Sequence, residues 1–174
     1  MNRDRAGRII GSSFGLVFIQ ANAGALPTAV AIPLRVLAVA AFLLLGLFNR
    51  RPAAPETDTA PRAGFGRRYW FVVAAEVLAI AVGLMVINKV LHTPTATVGW
   101  IAFVVGVHFF GLATAWRRPA LRILGGSMAA CGAIGMALAA FGAPTAVISA
   151  VAGIAPGVLL FGSVWWSGRR QPQL

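Results

Sequence analysis

The amino-acid sequence predicts an all-α protein, a polytopic bundle of six transmembrane helices. Of its 174 residues, 59% are hydrophobic and only 11% are charged, with a mean hydropathy of +0.81. Soluble domains carry about 25% charged residues. The apolar residues also fall into blocks of about 18 or more, which suffices for a ~30 Å hydrocarbon core at ~1.5 Å rise per residue. A chain of this composition is typical of a multi-pass membrane protein.

The six apolar blocks pair into three predicted helical hairpins. The predicted spans cover residues 9–26, 28–48, 69–88, 98–116, 121–140 and 143–166. The first hairpin occupies residues 1–50, the second 69–118, and the third, with a short tail, 119–174. Residues 51–68 form the one long connection, and its Pro, Ala, Thr and charged residues are not suited to burying a core. We therefore expect a cytoplasmic linker there.

The positions of the basic residues predict the orientation. Of the 15 Lys and Arg residues, all but Arg35 and Lys89 fall on one side of the six-span topology. Short basic loops are retained in the cytoplasm, so both termini are predicted to be cytoplasmic. The net charge of +11 does not indicate nucleic acid, because the arginines lie at span ends rather than on one basic face. Membrane lipid headgroups are their expected partners. All five tryptophans also lie near span ends, where indoles favour the headgroup level.

The first apolar block has an alternative interpretation. A basic segment, MNRDRAGR, precedes the apolar run 9–19, and Ala21-Asn22-Ala23 matches an A-x-A cleavage signal. Cleavage after residue 23 would leave five spans and an external N-terminus. The second span follows at once, which favours an uncleaved hairpin instead.

Three polar residues within the spans form a candidate intramembrane site. Glu76 lies in YWFVVAAEVLAIAVGLMVIN, residues 69–88. A charge at the bilayer centre costs about 2.5–3.5 kcal/mol on insertion scales, so a carboxylate there needs a partner, a proton or water. His108 in the fourth span and Arg35 in the second are the candidate partners. The group either neutralises itself and fixes helix register or relays protons or an ion.

Small residues at helical spacing predict the helix-packing faces. A small residue at every fourth position lets two backbones approach closely. The predicted packing residues are Gly11 and Gly15 on the first span, Ala75, Ala79 and Gly83 on the third, and Gly153 and Gly157 on the sixth.

Motifs for catalysis are missing from the sequence. It contains no HExxH, no P-loop and no paired carboxylates, and its single cysteine, Cys131, lies within a span. We therefore expect no catalytic residue, no metal site, no cofactor and no enzymatic activity.

Four segments resemble a known group of proteins. They are NAGALP at 22–27, FGRRYW at 65–70, AAEV at 74–77 and VGVHFFGLA at 105–113. With these segments the chain resembles uncharacterised small multi-pass membrane proteins of actinobacteria. The resemblance implies six helices and a bacterial inner-membrane location, and it transfers no functional residue.

Two functions follow as expectations. The first is an accessory or structural protein of the bacterial cytoplasmic membrane that binds another membrane protein or forms a homodimer. The alternative is a small transporter or proton-linked channel that uses Glu76, His108 and Arg35.

Overall fold

The computed structural model describes residues 3–48, 67–116 and 119–169, and apart from short turns these residues are helical. The predicted all-α class is confirmed. The helices are α1 (Arg3–Asn22), α2 (Thr28–Phe48), α3 (Arg67–Met85), α4 (Thr97–Trp116) and α5 (Ala120–Ala140). The sixth, labelled α6 (145–169), combines α-helical Thr145–Ser149, π-helical Ala150–Ile154 and α-helical Ala155–Arg169. A π-helical turn, Val86–Val90, extends α3.

Most of the predicted linker, residues 51–66, lies outside the described residues. Its last two positions are already helical, because α3 begins at Arg67.

Five of the described helices are long and apolar enough to cross a membrane. They are Thr28–Leu47, Trp70–Val90, Pro94–Thr114, Ala120–Ala140 and Thr145–Ser167. The helix α1 does not reach this apolarity, because it begins inside the basic segment and carries several polar side chains. It packs between α2 and α6, where it buries Ser12 and Asn22. The side chain of Asn22 donates to the Phe18 carbonyl oxygen at 2.8 Å, so its burial is matched by a hydrogen bond.

Neighbouring helices follow one another in the order α2, α1, α6, α5, α4, α3. The four inner helices share a core, and α2 and α3 form the two edges of the bundle. The core consists of Phe18 on α1, Ala102 and Val105 on α4, Leu124 and Met128 on α5, and Leu160 on α6.

Backbone contact between α4 and α5 is the tightest in the bundle. A Cβ added at Gly106 would lie 2.4 Å from the Ala129 backbone nitrogen, and one at Gly132 would lie 2.3 Å from that of Phe103. Any larger side chain at these two positions would push the helices apart. This interface joins the second predicted hairpin to the third.

The hairpin from α5 to α6 closes with a Schellman turn. Gly142 has φ +71°, the amide of Ala143 donates to the Leu138 carbonyl at 2.9 Å, and that of Gly142 donates to Ala139 at 3.1 Å. Glycine adopts this left-handed conformation without the steric cost of a Cβ.

The π-helical segment of α6 accommodates a proline. Pro156 has no N–H, and its ring would collide with the carbonyl four residues earlier in a regular α-helix. The preceding amide, of Ala155, bonds instead to the Ala150 carbonyl, five residues back. This wider turn relieves the collision while Pro156 stays buried in the bundle.

Candidate intramembrane polar site

The candidate site lies on the seam between α3 and α4, which run antiparallel. As residue numbers rise along α3, the numbers of the α4 residues that they contact fall by a similar amount. The contacts that mark this register are Val72 with Gly111, Glu76 with His108, Gly83 with Trp100, and Asn88 with Thr97. Glu76 is nine residues from the start of α3 and His108 eight from the end of α4, so the hairpin brings the two residues to the same depth.

Glu76 and His108 meet in this seam. The Oε2 of Glu76 lies 3.0 Å from the Nδ1 of His108, and the side chains are only 17% and 12% exposed. The distance suits a hydrogen bond, but Nδ1 has no partner of good hydrogen-bond direction. The contact is therefore a close acid–base pair rather than an aligned hydrogen bond.

The pair carries no net charge in either of its two proton arrangements. A carboxylate beside an imidazolium sums to zero, and so does a carboxylic acid beside a neutral imidazole. A lone charge would cost about 2.5–3.5 kcal/mol near the bilayer centre. Mutual neutralisation therefore explains how α3 retains a carboxylate among apolar side chains.

Arg35 is not part of this pair. Its Nη2 lies 3.4 Å from the Gln20 carbonyl oxygen, and the Gln20 side-chain amide donates to the Arg35 carbonyl at 3.0 Å. These bonds join α2 to α1, on the opposite edge of the row from α3. The structure therefore brings Glu76 and His108 together and leaves Arg35 apart from them.

The small residues of α3 differ in what they contact. A Cβ at Gly83 would fall inside the indole of Trp100, whose Nε1 donates to the Ala79 carbonyl oxygen at 3.1 Å. The indole of Trp100 thus packs on Ala79 and Gly83, whereas Ala75 is exposed. Trp100 consequently lies in the seam between α3 and α4.

The predicted small residues of α1 and α6 lie at the interface between these two helices. A Cβ on Gly15 would stand 3.0 Å from the Gly157 carbonyl oxygen, and one on Gly11 3.1 Å from Val164. The side chain of Asn22 covers Gly153. The bundle's own helices therefore occupy these surfaces.

Sequence reasoning missed Gly99 and Gly106 on α4. Gly99 and Gly106 are seven residues apart on α4, and Gly125 and Gly132 are seven apart on α5. A spacing of seven puts residues on one helical face, just as a spacing of four does. That matched pair of spacings was the available signal for the α4–α5 contact.

Two of the grooves on the described surface lie away from the acid–base pair. One lies along α2 with Gln20 and Arg35 at its end, and the other is lined by Ala113, Thr114, Pro119 and Arg122. Among residues 3–48, 67–116 and 119–169, no three His, Cys, Asp or Glu side chains are grouped as metal ligands would be.

Comparisons with protein-family models, with curated proteins and with solved structures find no match to this chain.

Proposed function

We propose that the protein is an accessory or structural integral membrane protein, without catalytic activity, that packs laterally against another membrane protein or a second copy of itself. The Glu76–His108 contact carries this proposal. Glu76 on α3 is neutralised by His108 on α4, so the pair stabilises the contact between the two helices. The proposed location is a bacterial cytoplasmic membrane with both termini inside, and the distribution of basic residues supports this orientation.

The edge helices offer the surface for lateral packing. In their spanning segments α2 and α3 are 17% and 6% buried, whereas the other three spans are 33–44% buried. On α3, the exposed Ala74 and Ala81 are seven residues apart and hence close to one face. Small side chains in such an arrangement admit a neighbouring helix at short distance.

Self-association in lipid tests the surface of α3. Energy transfer between donor-labelled and acceptor-labelled chains would be measured in vesicles as the lipid-to-protein ratio rises. We expect Ala81→Phe to weaken transfer, because the larger ring holds the second helix away. Ala133→Phe is the matched control, since Ala133 is exposed on α5. Equal transfer for both variants and the wild type would refute α3 as the contact surface.

Proton-linked transport is the second candidate function. An acid and an imidazole 3.0 Å apart inside the spans are placed to exchange a proton. One observation weighs against a relay through all three residues: Arg35 is bound to Gln20 on another helix pair.

Flux measurements separate the two functions. The purified chain would be reconstituted in liposomes, and proton flux would be followed between about pH 5 and 8, where an ordinary histidine changes charge. An accessory protein gives the same flux as empty liposomes at every pH. A wild-type flux that Glu76→Gln abolishes would establish transport and overturn the accessory role.

A further inference from the structure

The positively charged side chain of Arg35 lies at the junction of α1 and α2, on the outside of the bundle. Arg35 is exposed, and its guanidinium contacts the Gln20 carbonyl oxygen at 3.4 Å. Among the described residues no carboxylate is paired with it, since the acid–base contact within the spans is that of Glu76 with His108. An arginine on a membrane-spanning surface calls for an anionic group or water.

The guanidinium reaches towards the end of the membrane span. Side chains on a helix lean towards its N-terminus, which for α2 is the end joined to the turn Ala23–Ala25. A Cβ on Gly24, in the middle of that turn, would lie 3.0 Å from Nη2 of Arg35. Arg35 thus directs its charge to the level where α1 ends and α2 begins, as long basic side chains do near a bilayer surface.

An apolar groove continues from this cation along α2. The groove has a volume of about 410 Å³ and is lined by Gln20, Arg35, Val36, Val39, Ala40 and Leu43. On α2 these positions lie one, four, five and eight residues beyond Arg35, which is one face of the helix. At ~1.5 Å per residue the groove extends roughly 12 Å along α2, from Arg35 past the middle of the span to Leu43.

We propose that this groove binds an anionic phospholipid, with the phosphate on Arg35 and an acyl chain along Val36, Val39 and Leu43. Within the described chain, one contact to Gln20 engages the guanidinium. Its five N–H donors form a planar fork that matches two phosphate oxygens. A free phosphate would use the fork but not the apolar groove, whereas a phospholipid satisfies both. The inference requires only that α2 spans a membrane, so it is independent of the accessory role.

Lipid binding to the full chain tests the proposal. Delipidated protein in a non-ionic detergent would be titrated with phosphatidylglycerol, phosphatidylcholine or inorganic phosphate, and bound lipid would be counted by native mass spectrometry. We expect wild type to bind one phosphatidylglycerol roughly tenfold more tightly than phosphatidylcholine, because the choline ammonium offsets the phosphate charge that Arg35 binds. Inorganic phosphate should not displace the lipid.

Three variants make the test specific to this site. Arg35→Gln should remove the preference for the anionic lipid, and Ala40→Trp, which fills the groove and keeps the charge, should weaken binding of both lipids. Lys89→Gln is the matched control, because Lys89 is exposed and belongs to the same predicted side of the membrane. Its preference should equal that of wild type. Wild-type preference in Arg35→Gln, wild-type binding of both lipids in Ala40→Trp, or displacement by inorganic phosphate would overturn the proposal.

Discussion

Replacing Glu76 and His108 by leucine, singly and together, measures whether the pair holds α3 to α4. Each single replacement leaves one polar group facing an apolar side chain, which costs about 1–3 kcal/mol for a buried group. The double replacement leaves neither partner behind, and apolar substitutes for a buried pair are often neutral or stabilising. We therefore expect both single variants to be less stable than wild type and the double variant to lose less stability than the sum of the two single losses.

The size of the coupling follows from the geometry of the contact. Side-chain contacts between membrane helices average about 0.6 kcal/mol and reach about 1.7. The 3.0 Å separation and the low exposure of both side chains favour a strong contact, whereas the poor direction at Nδ1 weakens it. We expect a coupling of about 1 kcal/mol, with little dependence on salt, because buried pairs are weakly screened.

Equilibrium unfolding in mixed micelles, followed by tryptophan fluorescence, provides the free energies. The control cycle combines Glu76→Leu with Ser163→Ala, whose hydroxyl bonds within α6 to the Leu160 carbonyl. That cycle should be additive within about 0.5 kcal/mol. If the free energies of the Glu76–His108 cycle are also additive within about 0.5 kcal/mol, the pair does not hold α3 to α4. A Glu76→Leu variant more stable than wild type would lead to the same conclusion and would favour the transport function.

Four further changes test the packing and the turn between α5 and α6. Gly106→Ala should destabilise the bundle by about 1–3 kcal/mol in the same unfolding assay, because its Cβ meets the α5 backbone. Gly162→Ala, with nothing within 4 Å, should instead stabilise by about 0.5–1 kcal/mol; a loss there would contradict this account. Trp100→Phe should cost about 0.6–1.7 kcal/mol through the lost bond to Ala79, and an unchanged stability would show that bond to be negligible. Gly142→Ala should destabilise the protein by about 1–2 kcal/mol, because it puts a Cβ on a residue with φ +71°. Faster hydrogen exchange at the amide of Ala143, which is bonded to Leu138 in the turn, would report the same loss.

The sequence alone determined the class of molecule and the positions of its helices. Apolar blocks of membrane length with basic residues at their ends predict transmembrane helices. Backbone polar groups in lipid must form hydrogen bonds within the segment, and a helix allows this. The prediction for α2 matched at both ends, and those for α4 and α5 matched to within one residue. Glu76 and His108 could also be predicted as site residues from the sequence, because polar side chains within an apolar block are evident without a structure.

Only the tertiary structure decided which helices are neighbours and which polar groups meet. Helical spacing assigns a residue to a face, but it does not say which other helix that face will touch. Arg35 and His108 were equal candidates for Glu76 in the sequence, and the antiparallel register of α3 and α4 selected His108. The row of helices put Arg35 at the opposite edge, beside Gln20 and an apolar groove. Contacts of this kind depend on the packing of whole helices, which a linear pattern of residues does not encode.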